Sequence, residues 1–374
     1  MSGISSGSSE AVSAVSATAK KIRFNSVDAL RGLTVAAMLL VNNAGDWDHV
    51  YAFLEHASWH GSTPADFIFP FFLVIVGVSL QLALGSQIEV AQDRWPLARG
   101  VILRGVRIIA LGVLLHLLSQ YLIPGRGFRL FGVLQRIGLC FMVVGCLIIY
   151  LRSWPVQIAI FCATLLAYWG LLADGGSFEP HLNLADQLDN FLLGKWAYSF
   201  DVNTGLAQEP EGLLSTFPAM MSVLMGCFAG RFLRDAKLMR LISVGACCVL
   251  LGYFWSFIFP LNKQLWTSSF VLWTGGFAMI ALAFAHFLID RKHAPALGIS
   301  FGVNAIAAYA GAWVATCVLA ATGAMELIYG GFFKPLIAPA LGNEFASFCF
   351  AVSFTSVFGV LMWVLRRKGW RWSI

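Results

Sequence analysis

Apolar residues run through this chain in long unbroken stretches, and short polar segments between them carry most of the charge. Ten stretches stand out, at about 27–43, 65–84, 106–123, 130–150, 155–173, 212–230, 241–259, 268–289, 301–321 and 345–365. At 1.5 Å per residue, each is long enough to cross a bilayer as a helix, with some tilt allowed. The runs are continuous rather than alternating, so they predict helices and not the strands of a membrane barrel. Two segments do not read as simple turns. Residues 174–211 form a long loop with seven carboxylates: Asp174, Glu179, Asp186, Asp189, Asp201, Glu209 and Glu211. Residues 323–343 are apolar but broken by Gly330, Gly331, Pro335 and Pro339, which predicts a re-entrant or interfacial segment.

Composition agrees with this pattern. Of 374 residues, 59% are apolar and 12% charged, against about 45–50% and 25% in soluble domains. A soluble fold with that excess would expose aggregating apolar patches. A soluble enzyme and a disordered chain are therefore both excluded. The fold class expected is an all-α polytopic membrane protein, a bundle of about ten transmembrane helices forming one domain over residues 23–374. Residues 1–22, rich in Ser, Ala and Gly, are expected to form a disordered cytoplasmic tail. Nineteen of the 25 Lys and Arg residues fall on one side of the predicted bundle. Only Arg126, Arg129, Lys195, Lys263 and Lys334 fall on the other, and Arg136 lies inside a stretch. By the positive-inside rule, both termini are expected in the cytoplasm. The eight cysteines lie in apolar surroundings without a CxxC spacing. They read as small apolar side chains, with neither a disulfide nor a metal site expected. The net charge of +6 is modest, and no nucleic-acid partner is expected.

Polar groups at the ends of the stretches are the candidates for chemistry. Ser26-Val-Asp28-Ala-Leu-Arg31-Gly32 opens the first helix. Ser26 suits an N-cap, and Asp28 suits the positive end of the helix dipole. Asp28 and Arg31 share a face and read either as an interfacial ion pair or as a site for an anion. The helix ends at Val41-Asn42-Asn43. The following loop carries Asp46, Asp48, His49, Glu55 and His56-Ala57-Ser58-Trp59-His60-Gly61. Three of the seven histidines thus sit in one loop. Histidine exchanges protons near neutral pH, so His56 is a candidate base. The alternatives are solvated loop histidines or adventitious metal binding, although no HExxH spacing is present. Pro64-Ala65-Asp66-Phe67 begins the second helix, with Asp66 at its positive end. Gln135 and Arg136 interrupt an otherwise apolar helix. Such groups face a bundle interior or an aqueous cavity, paired with a carboxylate such as Asp66 or with a ligand. Pro210-Glu211-Gly212 and Asn262-Lys263-Gln264 are polar helix starts, and Asn304 lies within the ninth stretch. His116 and His286, alone among apolar neighbours, are expected to be packed and hydrogen-bonded.

Several segments, taken in order, resemble the heparan-α-glucosaminide N-acetyltransferase family of transmembrane acyltransferases. They are Ser26-Val-Asp-Ala-Leu-Arg-Gly32, Val41-Asn42, His56-Ala-Ser-Trp-His-Gly61, Ala65-Asp-Phe-Ile-Phe-Pro70, Gly132-Val-Leu-Gln-Arg136, Pro210-Glu-Gly-Leu-Leu-Ser215 and Asn262-Lys-Gln-Leu-Trp-Thr-Ser-Ser269. The resemblance implies a bundle that takes acetyl-CoA from the cytoplasm and passes its acetyl group to a glucosamine amine across the membrane. The family's active histidine matches His56, and an important asparagine matches Asn42. Two features depart from the animal enzyme: His60 stands where it has Asn, and no counterpart of its large luminal domain is seen. The resemblance thus implies the chemistry more directly than a heparan-type acceptor.

On this reading His56 accepts the acceptor's proton or is transiently acetylated, and Asn42 donates to the developing oxyanion. Asp66 orients His56 or binds the amine, and Trp59, Glu211 and Gln135 are further candidates for substrate binding. Asp28, Arg31, Arg104, Arg107 and Arg136 are candidates for holding acetyl-CoA, the arginines at its phosphate end. Acetyl-CoA is the expected co-substrate and no metal is expected. The expected partners are a sugar or glycan acceptor, membrane lipid and a second copy of the chain. The expected location is the bacterial inner membrane. The alternative is a transporter or exporter of a sugar or lipid-linked precursor, which would need no proton-transfer group beside the first helix.

Overall fold

Helices make up most of the computed structural model, which describes residues 23–372. The tail expected over residues 1–22 lies outside the described residues. The long helices are α1 (Asn25–Val41), α2 (Ile68–Val90), α3 (Trp95–Leu122), α4 (Val133–Tyr150) and α5 (Trp154–Asp174). A short α6 (Leu184–Leu193) precedes the only strands among the described residues, β1 (Ser199–Asp201) and β2 (Leu206–Gln208). The bundle resumes with α7 (Thr216–Arg234), α8 (Leu238–Trp255) and α9 (Ser268–Ala285). It closes with α10 (Ile299–Val303), α11 (Ala305–Ala321), α12 (Ala324–Ile328), α13 (Lys334–Leu341) and α14 (Asn343–Arg367). Proline opens α3, α5 and the turn Pro64–Phe67 before α2, where its missing N–H costs nothing.

Eight helices among the described residues are long and apolar enough to cross a membrane. A ninth crossing exists if α11 and the Ala324–Leu341 segment, bent at 85°, are taken as one. Helix α1 has 17 residues, one short of that length, so ten crossings require counting it. The ninth apolar stretch is broken at Asn304, a fully buried residue. Its carboxamide donates to Trp370 O (3.2 Å) and accepts from Trp372 N (3.0 Å), serving the backbone beyond α14.

Helix α7 is the most buried of the long helices and α8 the least. The centre of the bundle is the α2–α7 contact, which is set by small residues: a Cβ at Gly226 would stand 2.0 Å from Val74 O. Backbones approach this closely in membranes because apolar side chains gain little by packing on each other rather than on lipid. The segment 174–211, expected as a loop, is folded. Asn183 caps α6 by accepting from Asp186 N (2.8 Å), and β1 and β2 form an antiparallel hairpin. Of its carboxylates, Asp186, Asp189, Glu209 and Glu211 are buried. The 323–343 segment is helical from Ala324 to Leu341, through a π turn at Tyr329–Phe333 and with Pro339 inside α13, so its glycines and prolines do not break it; instead it bends by 85° from α11.

Candidate active site

The loops after α1, α3, α5 and α8 meet at one end of the bundle. Gly61 N donates to Leu261 O (2.8 Å), Trp59 Nε1 to Phe178 O (2.9 Å) and Leu130 N to Trp196 O (2.9 Å). At their junction, Thr63-Pro-Ala-Asp66 forms a capping box at the start of the α2 turn. The box fixes Asp66, which is wholly buried. Its Oδ2 accepts from Thr63 N (2.9 Å), Thr63 Oγ1 (3.1 Å) and Ala57 N (3.1 Å). Its Oδ1 faces His56 Nδ1 at 2.8 Å and Lys263 Nζ at 3.8 Å. An ionised carboxylate only accepts, so Nδ1 of His56 carries the proton and Nε2 is left as the free base nitrogen. The His56 side chain is 42% exposed, so that nitrogen is reachable.

The other loop histidines are held elsewhere. His49 Nδ1 lies 3.0 Å from Asp46, and His60 Nε2 lies 3.5 Å from Glu179. His116 Nδ1 donates to Arg129 O (2.7 Å), and His286 Nδ1 bonds Asp290 (3.0 Å), packed as expected of lone histidines in apolar helices.

Behind Asp66 lies a buried charged cluster. Arg129 pairs with both Glu209 and Glu211. Arg136 is fully buried; its Nη2 donates to Gly212 O (3.1 Å) and Ser215 Oγ (2.5 Å), and its guanidinium lies 5.3 Å from the Trp266 ring centre. Its Nε and Nη1, and Gln135 Oε1, are buried without a partner among the described residues. Burial alone would raise Glu211, but the charges of Arg129, Arg136 and Lys263 outweigh it and hold this carboxyl below its ordinary range. Burial pushes Asp189 up to about 7, against the Leu213 N–H that it accepts and with help from Glu209. Burial likewise lowers the Lys263 ammonium, opposed by Asp66 and Glu211. Lys263 is the member of the site to which sequence reasoning assigned no role: it stood out only as part of the polar helix start Asn262-Lys263-Gln264.

The remaining candidates separate. Trp59 serves its loop contact with Phe178. Gln135 Nε2 donates to Leu130 O (3.1 Å). Asn42 caps α1 through its backbone and is exposed, with no side-chain hydrogen bond among the described residues. Asp28 and Arg31 form the internal pair at the opposite end of the bundle. Arg31 donates to Asp28 (2.9 Å), Gly302 O (3.0 Å) and Ser79 Oγ (2.6 Å), so its hydrogen bonds are spent on packing. Arg104 lies over the Phe141 ring at 5.3 Å, and Arg107 is exposed on α3. Arg136 lies with the site-end cluster, not with Arg31.

The family described as "Heparan-alpha-glucosaminide N-acetyltransferase, catalytic" matches residues 23–248. The chain belongs to this family. That range holds His56, Asp66, Arg136 and Glu211, while Lys263 lies beyond it. The chain is 28% identical to heparan-alpha-glucosaminide N-acetyltransferase of Mus musculus over 353 residues, covering 77% of this chain and 53% of that one. It is 29% identical to the enzyme of that name from Homo sapiens over 354 residues, covering 77% and 52%. The chain spans about half the length of the curated relatives it matches.

Proposed function

We propose that this protein is a transmembrane acetyltransferase that moves an acetyl group from acetyl-CoA to the amine of a sugar, with His56 as the base. One observation carries the reading: His56 is held by the buried Asp66 with Nε2 free, in a chain of this family. His56 Nε2 takes a proton from the acceptor's ammonium. The amine then attacks the thioester carbonyl, the C–S bond breaks, the imidazolium returns its proton to the departing CoA thiolate, and the second amine proton passes to solvent. Asp66 keeps the ring in the tautomer that can accept the proton and stabilises the imidazolium that results. Lys263, 3.8 Å from the same carboxylate oxygen, keeps Asp66 ionised. Arg136, whose Nε and Nη1 are buried and unpaired among the described residues, and Asn42, with an uncommitted carboxamide, are the donors available to a developing oxyanion.

Acetyl-CoA, when bound, supplies an acyl carbon already activated as a thioester. Arg136 suits its carbonyl end. Arg104 and Arg107, not committed to carboxylates, suit its phosphates. Its several charges keep its nucleotide on the side where it is made, which favours a basic cytoplasmic face opposite His56.

The test is purified protein with acetyl-labelled acetyl-CoA and a panel of amino sugars, followed by mass spectrometry of products and protein. Label on a sugar amine is the expected outcome. No acetylated product, together with thermal stabilisation by a free sugar and none by millimolar acetyl-CoA, would instead mark a transporter.

A further inference from the structure

A second polar cavity, about 240 Å³ in volume, lies at the end of the bundle away from His56, between the last turns of α2, α4 and α7. Three guanidinium groups line it, Arg152, Arg231 and Arg234, against one carboxylate, Glu89. Arg234 Nη1 is paired with Glu89 Oε1 at 2.9 Å. Among the described residues, neither Arg152 nor Arg231 has an ion-pair partner. Arg231 stacks over Trp154 at 4.6 Å, and Arg152 reaches Glu89 O only at 3.5 Å. Gln81 forms the inner wall. It is 3% exposed, and its carboxamide has no hydrogen-bond partner among the described residues. Gly85 keeps this wall open, since a Cβ there would stand 2.6 Å from Gln81 Nε2 and 2.9 Å from Arg234 Nη1.

Arg152 is exposed and Arg231 half-buried, so two guanidinium groups without a carboxylate partner and the amide donor of the buried Gln81 converge on one cavity and suit an anion there. Planar guanidinium groups match phosphate oxygens in pairs. The cavity also lies at headgroup level. Trp95 and Tyr150 are exposed on helix ends at this same end of the bundle, as interfacial aromatics are, and Ile88 and Ile148 supply apolar wall. A phosphate carried on a diacylglycerol can reach the arginines while its chains stay against the exposed apolar helix faces. Basic pockets between transmembrane helices recognise lipid in this way.

We propose that this cavity binds the phosphate of an anionic phospholipid headgroup, at a site separate from the acetyl-transfer site. The test uses full-length protein, delipidated in mild detergent and then mixed with phosphatidylglycerol or phosphatidylcholine. The readouts are melting temperature and lipid retained in native mass spectrometry. Phosphatidylglycerol is expected to raise the melting temperature by several degrees more than phosphatidylcholine, and to be retained. Arg152→Gln/Arg231→Gln is expected to abolish this difference. Arg366→Gln/Arg367→Gln, at the exposed end of α14, is expected to keep it. Glu89→Gln, which removes the one lining carboxylate, is expected to show at least the wild-type difference, so the proposal does not rest on a variant that fails to fold. Four outcomes would overturn it: equal effects of the two lipids, a difference surviving the double substitution, a smaller difference in Glu89→Gln, or inorganic phosphate at 10 mM reproducing the effect without lipid. A further arm tests acetyl-CoA. If the double substitution removes stabilisation by acetyl-CoA, the phosphate site belongs to the donor and the lipid assignment is wrong.

Discussion

His56 and Asp66 depend on each other in different ways, and substitutions separate the two roles. His56→Ala removes the proton acceptor but leaves the capping box of Asp66 intact. Turnover is expected to fall roughly 10²–10⁴-fold while stabilisation by acetyl-CoA persists. Asp66→Asn lets an amide donate to Nδ1 and so reverses the tautomer. A loss of similar size is expected, with a lower melting temperature from the weakened cap. Asn42→Ala is expected to cost roughly 10²–10³-fold if its carboxamide serves the oxyanion. Steady-state rates with an identified acceptor check all three, and near-normal turnover in His56→Ala would remove the base from the mechanism. His56 and Asp66 were legible in the sequence because their relation is local: a histidine loop running into a Thr-Pro-Ala-Asp helix start. Lys263 was not, because it reaches Asp66 from a distant loop, and no periodicity within either segment reports that meeting. Arg31 stayed ambiguous for the converse reason. An arginine three residues from an aspartate reads equally as an anion site and as a packing pair, and only Gly302 and Ser79, from other helices, show that its hydrogen bonds are spent.

At the scale of elements, the segment between α5 and α7 behaves as a folded cap over the site. Its seven carboxylates read as a long acidic loop rather than as a folded unit. Arg129, from the loop after α3, pairs with Glu209 and Glu211, whereas Asp186 is held within the segment by His181 N and Asn183, and Asp189 by Leu213 N. This burial has a measurable cost at Asp189, whose carboxyl is pushed up to about 7. A raised carboxyl favours the protonated folded state. Its stabilising contribution is full near pH 4 and below, and is lost as pH rises through about 7. Asp189→Asn keeps the acceptor for Leu213 N but cannot ionise. It is expected to melt with the wild type near pH 4 and a few degrees above it at pH 8. An equal or lower melting temperature at pH 8 would show that the ionised form is accommodated. The α2–α7 contact gives a sharper expectation. Gly226→Val would force a side chain to within 2.0 Å of Val74 O, and α7 cannot move off α2 without opening the core. Loss of folded protein by size-exclusion chromatography is expected, whereas Gly330→Ala, with open space around it, is expected to be silent.

For the whole molecule, the helical bundle was legible from hydropathy alone, because continuous apolar runs admit no other structure in lipid. Helix ends were less so. Helix α3 extends back to Trp95 through Arg99 and Arg104, charges that the apolar pattern excluded but that long side chains can carry out of the hydrocarbon. The connections give an internal check on orientation. Asn25 N contacts Asp290, and Trp372 N contacts Asn304, at the end away from His56. Ser347, near the start of α14, bonds Asp46 beside the site. The first and last described residues therefore share one end of the bundle, and the histidine loop has the other. With the basic bias, this predicts that a cysteine introduced at Asp174 reacts with a membrane-impermeant maleimide in intact cells. One at Lys368 should react only after permeabilisation. Both are placed in a chain whose eight native cysteines, two of them exposed, have been replaced. The reverse pattern would put His56 on the cytoplasmic side, where acetyl-CoA is made. The acetyl group would then have no need to cross the membrane, and the basic end of the bundle would face the outside. That single result would overturn transmembrane transfer while leaving the His56–Asp66 chemistry standing.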